Sequence, residues 1–244
     1  MFYIQSTKIR KITEIIKALF PSIIFCLKYL PFKQAIKLPI LIYRPQFVRL
    51  KGKVSIECDK IYFGMIQLGF YRARPWPNNG IIWCVDGKVT FNGKATIGNN
   101  SSITVGRQGI LTLGDDFQNT SGFKCICNCK ISFGKSTSVG WNCVFMDTGL
   151  HPLKDVETGK KKRSFGPIEI GNYNWFGLEC LIMHSVKTPE RCIFAGRTTV
   201  TRGGDYQPYC VHGGSPVHVL SRNVYRDFGD DLITDYSLPD NTKR

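Results

Sequence analysis

One histidine stands in a stretch whose residue types could do acid–base chemistry. Residues 146–155 read MDTGLHPLKD, with Asp147 four residues before His151 and Pro152 directly after it. A neutral imidazole, with an ordinary pKa of about 6.5, can accept a proton at neutral pH, and a nearby carboxylate can orient it. The same residue types would also suit an ordinary polar loop. The elements that position His151 decide between the two interpretations.

Length and charge limit what kind of protein this is. The chain has 244 residues, 43% of them hydrophobic, and a net charge of +15. This is enough for one large domain or two small ones with a sizeable core. Residues 1–53 hold eleven Lys or Arg and one acid, Glu14, so most of the excess charge is N-terminal. The nearly balanced remainder argues against a nucleic-acid partner.

The N-terminal segment, residues 1–51, is predicted to be basic and partly helical. Residues 7–20 show helical spacing, and Pro21 is expected to break the pattern. The apolar stripe consists of Ile9, Ile12, Ile15, Ile16 and Leu19. Such a helix could pack on its own domain or on another subunit, or residues 1–50 could lie on an anionic membrane surface. No apolar run is long enough to span a bilayer and no signal peptide is evident, so we expect a cytoplasmic protein, with peripheral membrane contact left open.

A repeat of six residues dominates the following part of the chain. Large apolar residues recur at this spacing, with Thr188 as the one exception. They are Ile170, Phe176, Ile182, Thr188, Phe194 and Val200, preceded by Phe133, Val139 and Phe145. A looser period of eight links Ile97, Val105 and Leu113. Three short strands with three corners close one coil of roughly eighteen residues, whose apolar residues stack on the next coil. Residues 52–221 are therefore predicted to form a parallel β-helix, with glycine at tight corners.

The ten cysteines are interpreted as small buried residues in a reducing compartment. Cys125, Cys127 and Cys129 alternate and would share one face of a strand. No CxxC pair or neighbouring histidine completes a zinc set, so no metal is expected.

Several motifs, in order, resemble those of a known family. They are His151-Pro152, Gly159, Ser164-Phe165, residues 168–177 (IEIGNYNWFG), residues 193–202 (IFAGRTTVTR) and residues 211–216 (VHGGSP). Together they resemble the hexapeptide-repeat acyltransferases, which include galactoside and maltose O-acetyltransferases and polysaccharide-modifying acetyltransferases. The resemblance implies an all-β fold, a left-handed parallel β-helix, with a short helical N-terminal segment. It also implies a homotrimer that binds acetyl-CoA in the groove between subunits and acetylates a sugar hydroxyl or amine.

The resemblance also implies roles for individual residues. His151 corresponds to the catalytic base, on an excursion loop at residues 147–167, and Asp147 is a further residue that could orient it. The residues matching cofactor-binding positions are Trp175, Gly177, Ala195, Gly196, Arg202 and His218. The expected acceptor contacts are Asn119 and Trp141. Arg197 departs from the family's small residue, and the run 160–163 (KKKR) could bind a phosphate or be merely solvated.

The sequence leaves other functions open. The acceptor could be a surface polysaccharide or its precursor, or a small molecule such as a free sugar, a nucleotide sugar, serine or an antibiotic. The same scaffold hosts hydratases that need three converging histidines, whereas in this chain the histidines stand at 151, 184, 212 and 218. A non-catalytic scaffold is the remaining alternative. The polar tail, residues 222–244, matches no motif.

Overall fold

A computed structural model of the chain describes residues 2–73 and 76–228, and of residues 2–11 the backbone alone. The side chains of Lys8, Ile9, Arg10 and Lys11 and the tail residues 229–244 lie outside the described residues. Two helices, α1 (Phe2–Tyr29) and α2 (Phe32–Ala35), precede the strands.

The strands form three sheets, and the chain passes through them in the order A, B, C, once per coil. Sheet A contains, in spatial order, β1 (Ile40–Ile42), β4 (Ile66–Phe70), β7 (Ala95–Asn99), β10 (Phe117–Ser121), β13 (Ser138–Val139), β18 (Trp175–Phe176), β21 (Ile193–Phe194), β23 (Cys210–Gly213) and β24 (His218–Arg222). Sheet B contains β2 (Pro45–Leu50), β5 (Ile81–Val85), β8 (Ser101–Val105), β11 (Lys124–Cys127), β14 (Val144–Met146), β19 (Leu181–Ile182) and β22 (Thr199–Val200). Sheet C contains β3 (Lys53–Ile56), β6 (Lys88–Phe91), β9 (Ile110–Leu113), β12 (Lys130–Phe133), β17 (Ile168–Ile170) and β20 (Val186–Thr188).

This arrangement is the predicted all-β, left-handed parallel β-helix. Successive strands within each sheet pair in parallel, and the one antiparallel neighbour in the three sheets of the described chain is β24 on β23. The first coil begins at Ile40, before the predicted boundary at residue 52. The predicted boundary at residue 221 falls inside β24. The corner between sheets A and B is called the A–B edge, and the corner between sheets B and C is called the B–C edge.

The six-residue repeat supplies the core as predicted. All twelve repeat positions named from the sequence are buried: Ile97, Val105, Leu113, Phe133, Val139, Phe145, Ile170, Phe176, Ile182, Thr188, Phe194 and Val200. The phenylalanine rings pack from coil to coil: Phe145 lies edge-on to Phe176 with centroids 5.1 Å apart, and Phe176 stacks on Phe194 with centroids 4.7 Å apart. Each coil alone would leave these rings in water, so the stacking of coils provides the hydrophobic stabilisation.

Some corners use glycine for its left-handed backbone, as at Gly122 between β10 and β11, where φ is 72°, but the hexad corners after residue 170 use other residues. Five corner residues spaced by six have a positive φ without being glycine: Tyr173, Glu179, Ser185, Arg191 and Arg197. Glycine instead permits close approach of the coils. A Cβ on Gly177 would lie 2.7 Å from the backbone nitrogen of Gly196, and one on Gly171 would lie 2.5 Å from the carbonyl carbon of Pro189.

The cysteines are small core residues in this fold. All ten are free, and Cys125 and Cys127 are fully buried while Cys129 is half-buried. Burial raises the pKa of the Cys125 and Cys127 thiols, so both are protonated at neutral pH. Within residues 2–73 and 76–228, no three His, Cys, Asp or Glu side chains come together as a metal site.

Helix α1 differs from its prediction in two ways. It continues through Pro21 to Tyr29 instead of ending there. It also buries its small side chains: Ser22 Oγ accepts a hydrogen bond from Ile42 N at 2.8 Å, and Cys26 Sγ donates to Ile40 O at 3.4 Å. The predicted apolar stripe is divided, since Ile15 packs against the core whereas Ile12 and Ile16 are exposed. The helix therefore covers the open end of the coil by bonding to the edge strand β1.

Candidate active site

The excursion loop leaves the coil where it was predicted. Residues 147–167 connect β14 of sheet B to β17 of sheet C, and they carry their own antiparallel hairpin, β15 (Leu153–Lys154) and β16 (Lys161–Lys162). The base of the loop is closed by a bridge between Thr148 and Phe165 and by a hydrogen bond from Gly149 N to Ser164 O at 2.6 Å. The loop is thus an ordered structure on the B–C edge.

Asp147 holds the start of this loop. Its side chain is fully buried, and its two oxygens accept hydrogen bonds of 2.8 Å from the backbone N–H groups of Asn128 and Cys129. The backbone carbonyl of Asp147 accepts a further bond of 3.0 Å from Gly166 N. The carboxylate is therefore bonded to the turn of the neighbouring coil, and its role as the residue that orients His151 stays a prediction.

His151 is exposed and lines a cavity of about 540 Å³ between the loop and the coil. A backbone hydrogen bond of 2.7 Å from His151 N to Gly149 O turns the chain at this point. The cavity is lined by Gly149, His151, Leu153, Lys162, Arg163, Ser164, Met183, His184, Thr201 and Arg202. It is open to solvent and holds three cationic side chains beside the imidazole.

A second histidine in this cavity escaped the sequence analysis. His184 follows β19 and Arg202 follows β22, and both lie on the B–C edge under the loop. The pairing of Ile182 with Val200 places them one coil apart. Their separation of eighteen residues, three hexads, was the signal that could have brought them together. The Nδ1 atom of His184 lies 3.2 Å from Ser185 Oγ.

The basic run 160–163 contributes two of its four residues to the cavity. Lys162 Nζ pairs with Asp155 Oδ2 at 3.1 Å, and the guanidinium of Arg163 lies 4.8 Å from the centre of the Phe165 ring. These contacts hold both cations on the hairpin. Together with Arg202 they make the cavity suited to an anionic group.

Most of the other predicted site residues lie on a different edge of the molecule. Gly177, Ala195 and Gly196 form turns of successive coils at the A–B edge, where the backbones stack closely. His218, on β24, has its Nδ1 3.3 Å from Pro216 O at the end of the same sheet. Within one chain, Arg202 therefore lies in the cavity with His151, whereas Gly177, Ala195, Gly196 and His218 do not.

Trp175 and Arg226 lie beside a second, smaller cavity on sheet A. The guanidinium of Arg226 lies 4.9 Å from the Trp175 ring, and its Nη1 donates to Ser138 Oγ at 2.8 Å. A cavity of about 280 Å³ beside them is lined by Gln118, Asn119, Thr120, Ser138, Val139, Gly140, Trp175 and Arg226. The described part of the C-terminal segment thus crosses the outer face of sheet A.

The two predicted acceptor contacts are placed away from His151. Asn119 is buried inside the coil, where its Nδ2 donates to the carbonyls of Val139 and Gly140, each at 3.0 Å. It occupies an interior stacking position and braces a corner, and its predicted contact with the acceptor stays a prediction. Trp141 is half-exposed on the A–B edge, and its Nε1 donates to Thr120 Oγ1 at 2.7 Å.

The remaining histidine and the unusual arginine have structural partners. His212 is buried against the Phe194 ring, with centroids 5.3 Å apart, and its Nε2 lies 3.0 Å from Gln207 O. Arg197, at the A–B edge, pairs with Glu179 at 3.5 Å. Neither residue shares the cavity that contains His151.

Known proteins with similar sequences are acetyltransferases by name. No model of a protein family matches the chain. A candidate acetyltransferase of Staphylococcus aureus (strain Mu50) is 28% identical over 128 residues, covering 45% of this chain and 63% of the relative. The chloramphenicol acetyltransferase of Morganella morganii is 33% identical over 69 residues, covering 28% of this chain and 30% of that protein. The match therefore spans less than two thirds of the length of either relative.

Solved structures with a similar fold include the polysialic-acid-specific acetyltransferase NeuO, with a TM-score of 0.49, 19% identity and coverage of 78% of this chain and 74% of that one. Another is the acetyltransferase VCA0836 of Vibrio cholerae, described as containing hexapeptide repeats and complexed with acetyl-CoA. Its TM-score is 0.37, its identity 14% and its coverage 85% of both chains. The predicted resemblance to hexapeptide-repeat acetyltransferases is confirmed.

Proposed function

We propose that the protein is an acetyl-CoA-dependent O-acetyltransferase that modifies a sugar hydroxyl, with His151 as its general base. The observation that carries this proposal is the exposed imidazole of His151 on a braced loop, over a cavity of about 540 Å³ with three cations in its lining. The names of the sequence relatives support an acetyl transfer.

The chemistry needs one proton acceptor. His151 takes the proton of the acceptor hydroxyl as its oxygen attacks the thioester carbonyl carbon of acetyl-CoA. The tetrahedral intermediate, its oxyanion held by a backbone N–H, collapses and expels the coenzyme A thiolate, which the imidazolium protonates. The products are the acetyl ester and free coenzyme A. A base positioned in this way contributes a factor of about 10² to 10⁴ in rate.

The donor is proposed to lie along the A–B edge of a neighbouring subunit in a homotrimer. Trp175, Gly177, Ala195, Gly196 and His218 lie on sheet A or its edge, whereas His151 lies on the B–C edge of the same chain. One chain cannot unite the two sets, but a cyclic oligomer that places the B–C edge of one chain against the A–B edge of the next would do so. The cavity beside Trp175 gives that edge a concave surface.

The acceptor is proposed to be a sugar of a bacterial surface polysaccharide or of its precursor. The cationic lining supplied by Lys162, Arg163 and Arg202 favours an anionic sugar or a phosphate group of the donor. A small-molecule acceptor is the second candidate, and the match to a chloramphenicol acetyltransferase favours it. Location in the cytoplasm, with peripheral contact at the inner face of the membrane, stays a prediction.

The first experiment is a thiol-release assay with acetyl-CoA against a panel of free sugars, sugar phosphates, lipid-linked oligosaccharides and chloramphenicol. His151→Ala is compared with His184→Ala, because both imidazoles line the same cavity. We expect His151→Ala to lower kcat by about 10² or more and His184→Ala to have a smaller effect. The reverse order would transfer the role of base to His184. No release with any acceptor, together with no binding of acetyl-CoA, would favour a non-catalytic scaffold.

The shared site is tested with mixed oligomers. His151→Ala and Trp175→Ala are each purified alone and also co-expressed with different tags, and the doubly tagged oligomers are isolated. If the two residues meet across subunits, one of the three sites in every doubly tagged cyclic trimer regains both side chains. Activity well above that of either variant alone is therefore expected. Mixed oligomers no more active than the parents would refute the shared site.

A further inference from the structure

The outward face of α1 is apolar over most of its length. Six large apolar side chains are exposed on it: Ile12, Ile16, Phe20, Ile23, Ile24 and Leu27. At 100° per residue they fall within about 120° of the helix circumference. Phe20 is 74% exposed, and α2, which packs on α1, exposes Phe32 at 71% together with Ile36. Large apolar surfaces of this kind mark interaction sites in soluble proteins.

Contacts on the opposite side of α1 hold this apolar face outward. The opposite side of α1 buries Ala18, Ser22, Phe25 and Cys26, and Phe25 packs edge-on to Trp83 with centroids 5.0 Å apart. Two hydrogen bonds with β1, one accepted by Ser22 Oγ and one donated by Cys26 Sγ, fix the rotation of the helix about its axis. The structure therefore holds the apolar stripe away from the coil, at the end of the molecule.

The charge around the stripe has a single sign. Lys17, Lys28, Lys33 and Lys37 are exposed on or beside the two helices. The one acid among the first 56 residues is Glu14, whose side chain is buried. The rim is therefore cationic and presents no accessible carboxylate of its own.

We propose that the outer face of α1 and α2 docks on an anionic lipid bilayer, with the apolar stripe in the interface and the lysines at the headgroups. An apolar face with a lysine rim is the surface that lies in the plane of a membrane. Each lysine near an anionic surface strengthens binding about five-fold. A second copy of the same face is a poorer partner, because it would bring two lysine rims together with no carboxylate between them.

The helix does not cross the bilayer in this arrangement. Over the residues that the structure describes, α1 is not apolar enough along its length to span a membrane. The coil would stand on the membrane by its N-terminal end, with the cavity at His151 several coils away. The proposal does not depend on the transferase activity, since the stripe and the rim lie outside that cavity.

Vesicle sedimentation of the full chain tests the proposal, with phosphatidylcholine vesicles compared with vesicles that also contain phosphatidylglycerol. Wild type is expected to sediment with the anionic vesicles and weakly with the neutral ones. Phe20→Ser should lower the partition coefficient about ten-fold or more, because it removes a phenylalanine from the interface. Val156→Ser, at the most exposed apolar side chain of the excursion loop, is the matched control and should have no effect.

The charge is tested separately. The double variant Lys17→Gln and Lys28→Gln should weaken anionic binding about 25-fold, whereas Lys124→Gln with Lys135→Gln, two exposed coil lysines, should weaken it much less. Light scattering measures the mass of each variant. Wild type that stays in the supernatant, or Phe20→Ser that sediments as wild type does, would overturn the proposal. A Phe20→Ser protein with a lower mass than wild type would also overturn the proposal, because it would assign the face to a subunit interface.

Discussion

The buried carboxylate of Asp147 allows a sharp distinction between an anchor and a catalytic partner. Each of its oxygens accepts a hydrogen bond of 2.8 Å from a backbone N–H, one from Asn128 and one from Cys129. Asp147→Ala removes both acceptors and leaves the two part-buried N–H donors without this partner. Hydrogen bonds to a charged group contribute about 1.5–3 kcal/mol each, so the free energy of unfolding should fall by about 3–6 kcal/mol.

Thermal unfolding measures this effect. For a chain of this size, 1 kcal/mol corresponds to about 2–4 °C in Tm, so a decrease on the order of 10 °C is expected. Protein concentration must be equal for both proteins, because any subunit association adds to the apparent stability. Asp155→Ala is the matched control on the same loop: its carboxylate bonds Thr158 N at 3.0 Å and Lys162 at 3.1 Å, but at the surface, where water can replace it. Its Tm should change much less.

The rival view, in which Asp147 orients His151, predicts a different combination of results. An orienting carboxylate would lower kcat and shift the pH–rate profile while leaving Tm nearly unchanged. If Asp147 is an anchor, its loss lowers Tm directly. Any loss of activity is then indirect, because the loop that carries His151 is displaced. An Asp147→Ala protein with wild-type Tm and a shifted pH–rate profile would refute the assignment of Asp147 as an anchor.

Three further predictions follow from the core, the thiols and the C-terminal segment. Phe176→Ala should lower the free energy of unfolding by about 3–5 kcal/mol in urea denaturation, because a buried ring packed between Phe145 and Phe194 is lost. A change below about 1 kcal/mol would contradict this packing. The thiols of Cys125 and Cys127 should stay unreactive toward a disulfide reagent at pH 8 until the protein unfolds. The thiolate is the reacting form, and burial raises the pKa of both thiols. Labelling of either cysteine in the native protein, measured by mass spectrometry, would contradict this. Arg226→Ala should change the fluorescence of Trp175, which loses its cationic neighbour at 4.9 Å; an unchanged spectrum would refute that contact.

The hexad pattern predicted the fold because it records burial directly. Phe176, Ile182 and Phe194 lie at multiples of six residues from one another, and each lies inside the coil. Asn119 shows the limit of this inference. It is the interior partner of Ile97 and Val139 in sheet A, but its neighbours are 22 and 20 residues away, not 18. A polar residue in coils of irregular length gives no periodic signal, so its interior position could not be read from the sequence.

The site was predicted in part for a similar reason. The loop at residues 147–167 and the placement of His151 followed from the break in the repeat and from the resemblance to a family. His184 was overlooked because sequence distance hides its contact, while the pairing of β19 with β22 brings it beside Arg202. Asp147 was paired with His151 because a carboxylate four residues from a histidine suggests a contact. The backbone donors that it binds belong to a neighbouring coil, and side-chain type cannot reveal them.

The two ends of the coil are covered in different ways, and the difference bears on function. A solenoid must cover the open edges of its terminal coils, and a cap with a polar outer face does this and keeps the protein soluble. At the C-terminal end, β24 pairs antiparallel with β23, and its exposed residues include His218, Ser221 and Arg222. At the N-terminal end, α1 covers β1 with small side chains and presents isoleucine, leucine and phenylalanine to the outside. Covering the coil does not require that outer face, and exposing it in water favours aggregation. The N-terminal cap therefore carries a second role, which docking on a lipid surface would supply.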